Sequence, residues 1–369
     1  MKINVLAENL KKGLSIAMRG VSTRVQLPIL STILLKASKE GLVLSATDLE
    51  LSFRVKVRAK VSEEGEIAVP AKLFADLAAT LPVGVVDLSD RKQTLIIEGE
   101  KVKAEVVGQS SEEFPVLPKA KGKGLEIEVA ELIEKVERVG VAAAKDDARP
   151  ILAGVLWILD KKQITLAATD GYRLGVDYFK NDAPGAFEDI QKFVLPVRAL
   201  MELVRVLEPA MKTVKVEFDN DKQPVIFLAD DIEMSSRLIA GEFPPYTKVI
   251  PTEKKITVVI DKEALLEAVK RASLFARDSA NVVKLAVTGE GVAVTAQSDQ
   301  MGGSQTTIEA EVEGDEVTIA FNARYLLDYL GVVREDRVTL ETEGELKPAV
   351  FRIEKSDFLH VIMPVRTQN

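Results

Sequence analysis

The 369-residue chain has no cysteine, one histidine and one tryptophan, and only 5% of its residues are aromatic. Without thiols it cannot form a disulfide framework, a thiolate metal site or a cysteine nucleophile, and it suits a reducing compartment. A single imidazole, His360, cannot build a zinc site of the usual kind. No apolar run approaches about 18 residues, and Met1–Asn4 leads directly into a strand pattern without a signal sequence. We therefore predict a cytoplasmic protein with no metal and no cofactor.

The composition is that of a folded globular protein rather than a disordered one. Hydrophobic residues make up 47% of the chain and charged residues 29%. The length is sufficient for two or three domains with full cores. The net charge of −8 argues against a protein that coats itself on nucleic acid, but it leaves room for a local basic surface.

Two sequence patterns each occur three times, in the same order. A turn pattern follows a strand-like run at three places: Ser45–Leu49, Ala168–Leu174 (ATDGYRL) and Ala296–Gln300. A helix-start pattern, with Pro or Asn at its beginning, recurs at equal intervals: Val69–Asp76, Leu195–Glu202 and Phe321–Asp328. The period of about 125 residues is too long for a solenoid unit, so each copy is predicted to be a domain. The alternative is three unrelated α+β domains whose turns agree by chance.

We predict an α+β fold of three repeated domains, each with two helices packed on antiparallel sheets of about eight strands. The predicted domains are residues 1–118, 125–247 and 254–369, with a short charged linker at 118–124. The predicted helices are residues 8–20, 70–80, 129–145, 196–208, 261–277 and 322–333. The apolar C-terminal segment from His360 to Arg366 is predicted to be a docked strand, because exposed termini are seldom that apolar.

No motif for catalysis is present. The chain lacks a glycine-rich loop followed by Lys and Ser or Thr, and no nucleophile–base pair is apparent. Asp48, Asp170 and Asp299 could in principle be acids or bases, but the repeat places them in three separate domains. Because Asp after a small hydroxyl residue is common in turns, we interpret all three as turn residues.

A cation occupies the same place at the start of each copy's second helix: Lys72, Arg198 and Arg324. An acid follows four residues later, so one interpretation is an ordinary ion pair along the helix. A cation at a helix N-terminus opposes the helix dipole, however, and cation-first is the weaker orientation for such a pair. The other interpretation is a repeated surface that holds a phosphate backbone without reading its bases.

Several motifs together resemble those of the bacterial sliding clamp, the β subunit of DNA polymerase III. They occur in order along the whole chain: Leu27–Leu30, Arg149–Leu152, Ala168–Leu174, Glu242–Tyr246 and Met363–Arg366. The resemblance implies a ring-forming DNA-clamp fold, a non-catalytic processivity factor, and a head-to-tail homodimer whose helices line a hole around double-stranded DNA. Tyr172 stands where many clamps have His, and Val365 where some have Met, which affects the expected partner preference.

The resemblance also implies three groups of functional residues. Non-specific DNA contacts are expected from Arg24, Lys72, Arg149, Arg198, Arg205 and Arg324. The dimer junction is expected to contain Leu274 and Phe275, beside open strand edges near Lys101–Gly108 and Gln300–Thr307. A cleft for Gln-Leu-x-Leu-Phe-like peptides of the polymerase, the clamp loader and other proteins is expected from Leu152, Thr169, Gly171, Tyr172, Arg173, Leu174, Pro244, Val249, Asn322, Tyr325, Pro348, Val350, Val361, Met363, Pro364, Val365 and Arg366.

Within this cleft Arg173 and Arg366 are expected to offer donors to the peptide, and Leu152 to stand on a strand. A plain interdomain core is the alternative interpretation of the cleft. A three-domain scaffold or enzyme unrelated to DNA is the alternative to the clamp as a whole. The feature that separates the two is a meeting of the Phe243-containing loop, the ATDGYRL turn and the apolar C-terminus, which only the clamp requires.

Overall fold

The structure is a computed structural model, and it describes residues 1–22, 27–120, 124–146, 148–181, 190–218 and 224–367. These residues form six α-helices, two in each predicted copy: α1 Ala7–Ala17, α2 Ala71–Thr80, α3 Val129–Gly140, α4 Val197–Val206, α5 Lys262–Ala276 and α6 Ala323–Val332. All six lie where the sequence predicted helices. The largest difference is α3, which ends at Gly140 because the next residues form turns, with Ala143 N donating to Gly140 O.

The strands likewise fall into three similar sets. The first copy contains β1 Lys2–Leu6, β2 Thr32–Ser38, β3 Gly41–Thr47, β4 Leu51–Val57, β5 Ala59–Glu63, β6 Gly65–Pro70, β7 Val85–Arg91, β8 Thr94–Gly99 and β9 Val102–Val107. The second contains β10 Leu125–Glu128, β11 Gly154–Leu159, β12 Gln163–Thr169, β13 Arg173–Lys180, β14 Gln191–Pro196, β15 Thr213–Glu217, β16 Val225–Ala229 and β17 Ile232–Ser236. The third contains β18 Ile256–Asp261, β19 Val282–Thr288, β20 Gly291–Ser298, β21 Gly302–Ile308, β22 Ala310–Glu313, β23 Val317–Asn322, β24 Arg337–Thr342, β25 Ala349–Ile353 and β26 Leu359–Ile362.

The second helices begin for the reason that the sequence indicated, with one correction. Asn322 is the N-cap of α6, and its side-chain oxygen accepts a hydrogen bond from Arg324 N at 3.0 Å. The sequence predicts Pro70 at the first helical position of α2, but it occupies the N-cap, with φ −53° and ψ 114°. A proline there ends β6 and starts the helix without requiring an N–H donor.

The chain divides into two compact units, and the first comprises residues 1–130 and 202–238. It contains a five-stranded sheet in the order β5-β1-β7-β8-β9 and an eight-stranded sheet in the order β10-β15-β16-β17-β4-β3-β2-β6. In the larger sheet β4 of the first copy pairs with β17 of the second, so that Phe53 lies opposite Met234. Helix α1 packs closely over this sheet: a Cβ at Gly13 would lie 2.5 Å from a methyl of Val57, so only glycine fits there.

The second unit comprises residues 131–201 and 239–369. It contains a nine-stranded sheet in the order β14-β11-β12-β13-β26-β25-β24-β18-β22 and a four-stranded sheet in the order β21-β20-β19-β23. The C-terminal strand β26 lies between β13 and β25, which confirms that the chain end is docked. Tyr329, Phe351 and Phe358 fill the core beneath α5 and α6, with ring centroids 5.2–6.1 Å apart in their contacts.

Among the described residues, no helix is both long and apolar enough to cross a membrane.

Candidate functional site

Three segments of the second unit meet at one face of the nine-stranded sheet. Leu174 of β13 lies opposite Val361 of β26, which lies opposite Val350 of β25. The three side chains are buried in one apolar cluster, and Phe243 and Tyr246 pack against it. The ATDGYRL turn, the Phe243 loop and the C-terminus therefore come together, as the sliding-clamp prediction required.

The ATDGYRL turn is held by its own side chains. Asp170 Oδ1 accepts hydrogen bonds from Tyr172 N at 2.9 Å and Arg173 N at 3.0 Å. Thr169 Oγ1 accepts from Gly171 N at 3.0 Å and donates to Arg173 O at 2.6 Å. Gly171 has φ +93°, a conformation that side chains disfavour. These contacts fix the direction in which β13 leaves the turn and thus place Tyr172 at the surface.

The first copy has the same Asp acceptor in its turn, whereas the turn of the third copy uses a different side chain. Asp48 Oδ1 accepts from Glu50 N at 3.0 Å and Leu51 N at 2.7 Å. In the third copy Ser298 Oγ accepts instead, from Gln300 N at 3.3 Å and Met301 N at 3.2 Å. The turn role is confirmed for Asp48 and Asp170. Asp299 also lies in a turn, as predicted, but there the hydroxyl of the preceding residue supplies the acceptor.

Arg173 has a different position from the one we expected. It is only 3% exposed, and its guanidinium donates to Asp170 Oδ2 at 3.0 Å and to Asp328 Oδ2 at 2.8 Å. It also lies 4.5 Å above the ring of Tyr325. Its donors therefore tie the turn to α6 rather than face an incoming peptide, and the expectation of free donors at Arg173 is wrong. Burial and the Asp170 carboxylate raise the pKa of Tyr325, so that side chain is a neutral phenol.

We call the surface above Leu174, Val350 and Val361 the groove, since it corresponds to the predicted cleft. The chain beyond β26 forms its rim. The strand ends at Ile362, so the predicted C-terminal strand does not extend to Arg366. Met363 N donates to Tyr172 O at 2.8 Å, and Val365 N donates to Ala320 O at 2.8 Å. The side chains of Tyr172 and Met363 remain 62% and 38% exposed. The groove thus has a buried apolar floor and an exposed rim that a ligand can contact.

The other predicted groove residues lie on the same unit. Leu152 belongs to the 3-10 helix Pro150–Ala153, not to a strand, because the chain turns there before β11 begins, and its side chain is buried. Asn322 and Tyr325 stand at the start of α6. The remaining ones are partly or fully exposed: Pro244, Val249, Pro348, Pro364, Val365 and Arg366. Ile239 and Ile250, which are not among the predicted residues, also pack on the apolar cluster. Their signal in the sequence is an apolar residue every three or four positions through Phe243 and Tyr246.

Two of the three repeated cations, Lys72 and Arg324, do not form the ion pair along the helix that their spacing suggests. In the described ranges, neither Lys72 nor Arg324 forms an ion pair with the acid four residues later, and both side chains are exposed. The acid after Arg324, Asp328, is instead bound by Lys145 at 3.3 Å and Arg173 at 2.8 Å. The ion-pair interpretation is therefore wrong at these two positions.

The remaining basic residues have varied surroundings. Arg198 is exposed at the start of α4, and Arg205 near its end pairs with Glu202. Arg149 Nη2 donates to Asp170 O at 3.0 Å, which holds this exposed side chain against the ATDGYRL turn. Arg24 lies outside the described residues.

The two strands predicted to offer open edges do lie at sheet edges. Strand β9 ends the five-stranded sheet, and β21 ends the four-stranded sheet. Leu274 on α5 is 51% exposed, whereas Phe275 is partly buried against the core of the second unit. Open edges and exposed apolar residues together favour association with another chain.

His360 is a buried residue of the core beside this site. It lies in β26, fully buried, and neither ring nitrogen has a hydrogen-bond partner within the described structure. Burial, aided by Arg173, lowers its pKa to about 3, so it is a neutral ring that packs 5.2 Å from Tyr329. Among the residues described, no group of three or more His, Asp or Glu side chains could hold a metal ion.

Three copies of one α+β domain, with an exposed cation at helix starts and an apolar groove at the C-terminus, define a DNA clamp. Family models agree along the chain: the DNA polymerase III beta subunit N-terminal domain matches residues 1–118, the central domain 126–245 and the C-terminal domain 247–366. The chain belongs to the DNA polymerase III beta subunit family.

Relatives support the same conclusion. The beta sliding clamp of Bacillus subtilis strain 168 is 28% identical over the full length of both chains. The crystal structure of the DNA polymerase sliding clamp from Bacillus subtilis superposes with a TM-score of 0.94 at 27% identity, covering 100% of each chain. The crystal structure of the Pseudomonas aeruginosa sliding clamp bound to griselimycin superposes with a TM-score of 0.93 at 26% identity, covering 100% of each chain. The predicted fold class and the function as a non-catalytic DNA sliding clamp are confirmed.

Proposed function

We propose that the chain forms a head-to-tail homodimer, a closed ring that encircles double-stranded DNA and tethers the polymerase and other DNA-processing proteins. Each chain contributes three clamp domains, residues 1–118, 125–247 and 254–369. The observation that carries the proposal is the meeting of the ATDGYRL turn, the Phe243 loop and the C-terminal strand at one apolar groove. As a protein that acts on bacterial DNA, it would work in the cytoplasm.

Closure into a ring accounts for two strands that are paired on one side only. Between successive copies, the strand after the turn pairs with the last strand of the next copy, as β4 does with β17 and β13 with β26. The strand after the third turn, β21, and the last strand of the first copy, β9, have no such partner in the described chain. A second copy placed head to tail would pair β21 with β9, beside Leu274 and Phe275, at two equivalent junctions.

The DNA contacts in this proposal come from Arg24, Lys72, Arg149, Arg198, Arg205 and Arg324. Exposed cations at the starts of α2 and α6 without an ion pair in the described chain are electrostatically unfavourable by themselves, because the helix dipole is positive there. A phosphate backbone would supply the missing counter-charge without base recognition. A ring held by topology needs only weak phosphate contacts, which is compatible with a net charge of −8.

The groove in this proposal takes a short extended peptide of the Gln-Leu-x-Leu-Phe type. Its apolar floor of Leu174, Val350 and Val361 suits the Leu and Phe side chains. Met363 at the rim has a flexible thioether that can repack around different partners. Arg366 is exposed and can donate a hydrogen bond to the peptide backbone. Arg173 would act indirectly, by holding the ATDGYRL turn against α6. Affinities in the micromolar range are expected for such transient contacts.

The experiment that tests the proposal separates encirclement from surface binding. The protein is loaded on nicked circular DNA with its clamp loader, and the bound fraction is measured by gel filtration before and after one double-strand cut. A ring stays on the circle at about 0.15 M salt, where weak phosphate contacts are largely screened, and leaves the linear product. Equal retention on circular and linear DNA would contradict encirclement and indicate simple phosphate binding.

A further inference from the structure

The acids at the second helices receive a cation from the copy before them. In the second copy, Glu202 Oε2 lies 2.7 Å from Nη1 of Arg19, which follows α1. In the third copy, Asp328 Oδ2 lies 3.3 Å from Nζ of Lys145, which follows α3. Each ion pair thus links the segment after the first helix of one copy to the acid in the second helix of the next.

The two ends of this series are incomplete within one chain. Asp76, the equivalent acid of the first copy, is exposed, and Arg277, directly after α5 of the third copy, is exposed too. Neither side chain forms an ion pair or a hydrogen bond with any residue of the described ranges. A head-to-tail partner would place the third copy of one molecule before the first copy of the other, and so continue the series across the junction. We propose that Asp76 pairs with Arg277 of the partner subunit, an inference that rests on the head-to-tail dimer of the proposed function.

An exposed leucine accompanies each of these two charges. Leu73 stands three residues before Asp76 and is 55% exposed, whereas its equivalent in the second copy, Ala199, is only 4% exposed. Leu274 stands three residues before Arg277, whose backbone is still helical (φ −56°, ψ −41°). Residues three apart share a helix face, so each helix presents a leucine and a charge side by side. The face on α2 carries a negative charge and the face at the end of α5 a positive charge, and each also carries an exposed leucine. The two faces therefore fit a contact between two copies of this chain.

Arg277 is a better candidate than the other cations of α5. Lys270 and Arg271 already lie 2.8 Å and 3.9 Å from the carboxylate of Glu267. Arg277 also follows the first helix of its copy, one residue after α5, as Arg19 follows α1 by two residues and Lys145 follows α3 by five. The pair would be partly shielded by the two leucines, so it contributes to pairing specificity as well as to affinity.

A charge-reversal complementation experiment tests the inference. Variants Asp76→Arg and Arg277→Asp are made separately, and the dimer dissociation constant is measured by sedimentation of fluorescently labelled protein. Each variant is expected to dimerise at least about tenfold more weakly than the wild type, because both junctions then hold two like charges. Mixed together, the two variants form a heterodimer in which opposite charges face each other at both junctions, and its dissociation constant should return to within about threefold of the wild-type value.

Glu290→Arg, a reversal of an exposed acid in the β19–β20 turn, is the control and should dimerise like the wild type. Because both altered side chains are exposed, circular dichroism and thermal melts should match the wild type; Asp76→Asn and Arg277→Gln provide milder variants. Wild-type affinity in both single reversals, or a mixture no tighter than its components, would overturn the Asp76–Arg277 contact and leave the dimer standing. A wild-type protein that is monomeric at micromolar concentration would instead remove the dimer, and this inference with it.

Discussion

Strands β13 and β21 occupy equivalent places, directly after the turn of the second and third copies, but they have different surroundings. Strand β13 is paired on both sides, with β12 and with the C-terminal strand β26. Strand β21 is paired on one side only, with β20, and ends its sheet. The turn before β13 is braced by Asp170 and Arg173, whereas the turn before β21 relies on the Ser298 hydroxyl.

The difference separates two kinds of recognition. Around β13 the backbone is satisfied within the chain, so a ligand can recognise only the side chains above the sheet, which suits short peptides of many partners. Around β21 the backbone itself is available, which suits one dedicated partner in fixed register, a second copy. Substitutions that act on one surface should therefore leave the other intact.

The largest expected effect is at the β21 side. Leu274→Ala combined with Phe275→Ala should convert the dimer to folded monomer, because truncating central apolar contacts of an interface removes several kcal/mol, about 2 or more at a hot spot. Light scattering gives the mass, and peptide calorimetry should show an unchanged groove. Since Phe275 also contacts the core, Leu274→Asp alone should act in the same direction, while Val116→Ala, at a position 96% exposed, should remain dimeric. Full dimer in both Leu274 variants would show that the junction lies elsewhere.

At the β13 side, Tyr172→Asp combined with Met363→Asp should weaken binding of a peptide ending in Leu-Phe at least about a hundredfold, close to 3 kcal/mol. Both side chains are exposed at the rim, so the fold should survive, unlike a change at buried Leu174. Isothermal calorimetry measures the affinity and light scattering checks that the dimer persists. Val116→Asp is the matched control. A variant that still binds the peptide as the wild type does would place the site outside the groove.

The third prediction concerns the repeated cations at the helix starts, which lie outside the surfaces around β13 and β21. Reversal of Lys72, Arg198 and Arg324 to Glu should speed loss from circular DNA and reduce the salt dependence of retention by about one unit of slope per phosphate contact. Reversal of Lys39, Lys92 and Lys355 changes the net charge equally at other exposed sites and should have little effect. Identical retention by the two triple variants would mean that helix position is irrelevant to DNA.

The smallest expected effect is on the pH dependence of the free energy of unfolding, and it involves His360 of β26, the strand that pairs with β13. His360 has a folded-state pKa of about 3, below the value of about 6.5 in the unfolded chain, so the unfolded state binds more protons between these values. Stability attributable to this group is complete above pH 6.5 and declines as the pH falls toward 3, by at most about 1.4 kcal/mol per pH unit. The difference between the urea unfolding midpoints at pH 7.5 and pH 5.0 should therefore be smaller in His360→Phe than in the wild type. An equal shift in both proteins would argue against the buried neutral imidazole.

The sequence predicted the helices and the three-fold repeat well because each copy carries the same local signals, as at Asn322, where the cap residue is visible in the sequence itself. Tertiary contacts were harder. Nothing near Arg173 in the chain reveals that it reaches Asp328, 155 residues away, and so loses its free donors. The sequence predicts a strand at Leu152 because apolar runs look alike in strands and short 3-10 helices. The acceptor switch from Asp299 to Ser298 depends on turn geometry that composition does not encode.

The central claim is that one chain supplies half of a closed ring, with the β9 and β21 edges completed by a second copy. The most direct measurement is the molar mass of the wild-type protein by multi-angle light scattering at micromolar concentration and physiological salt. The account predicts twice the mass of one chain, with no larger species, because head-to-tail pairing closes after two copies. A single-chain mass at that concentration, or a series of open oligomers that grows with concentration, would contradict it.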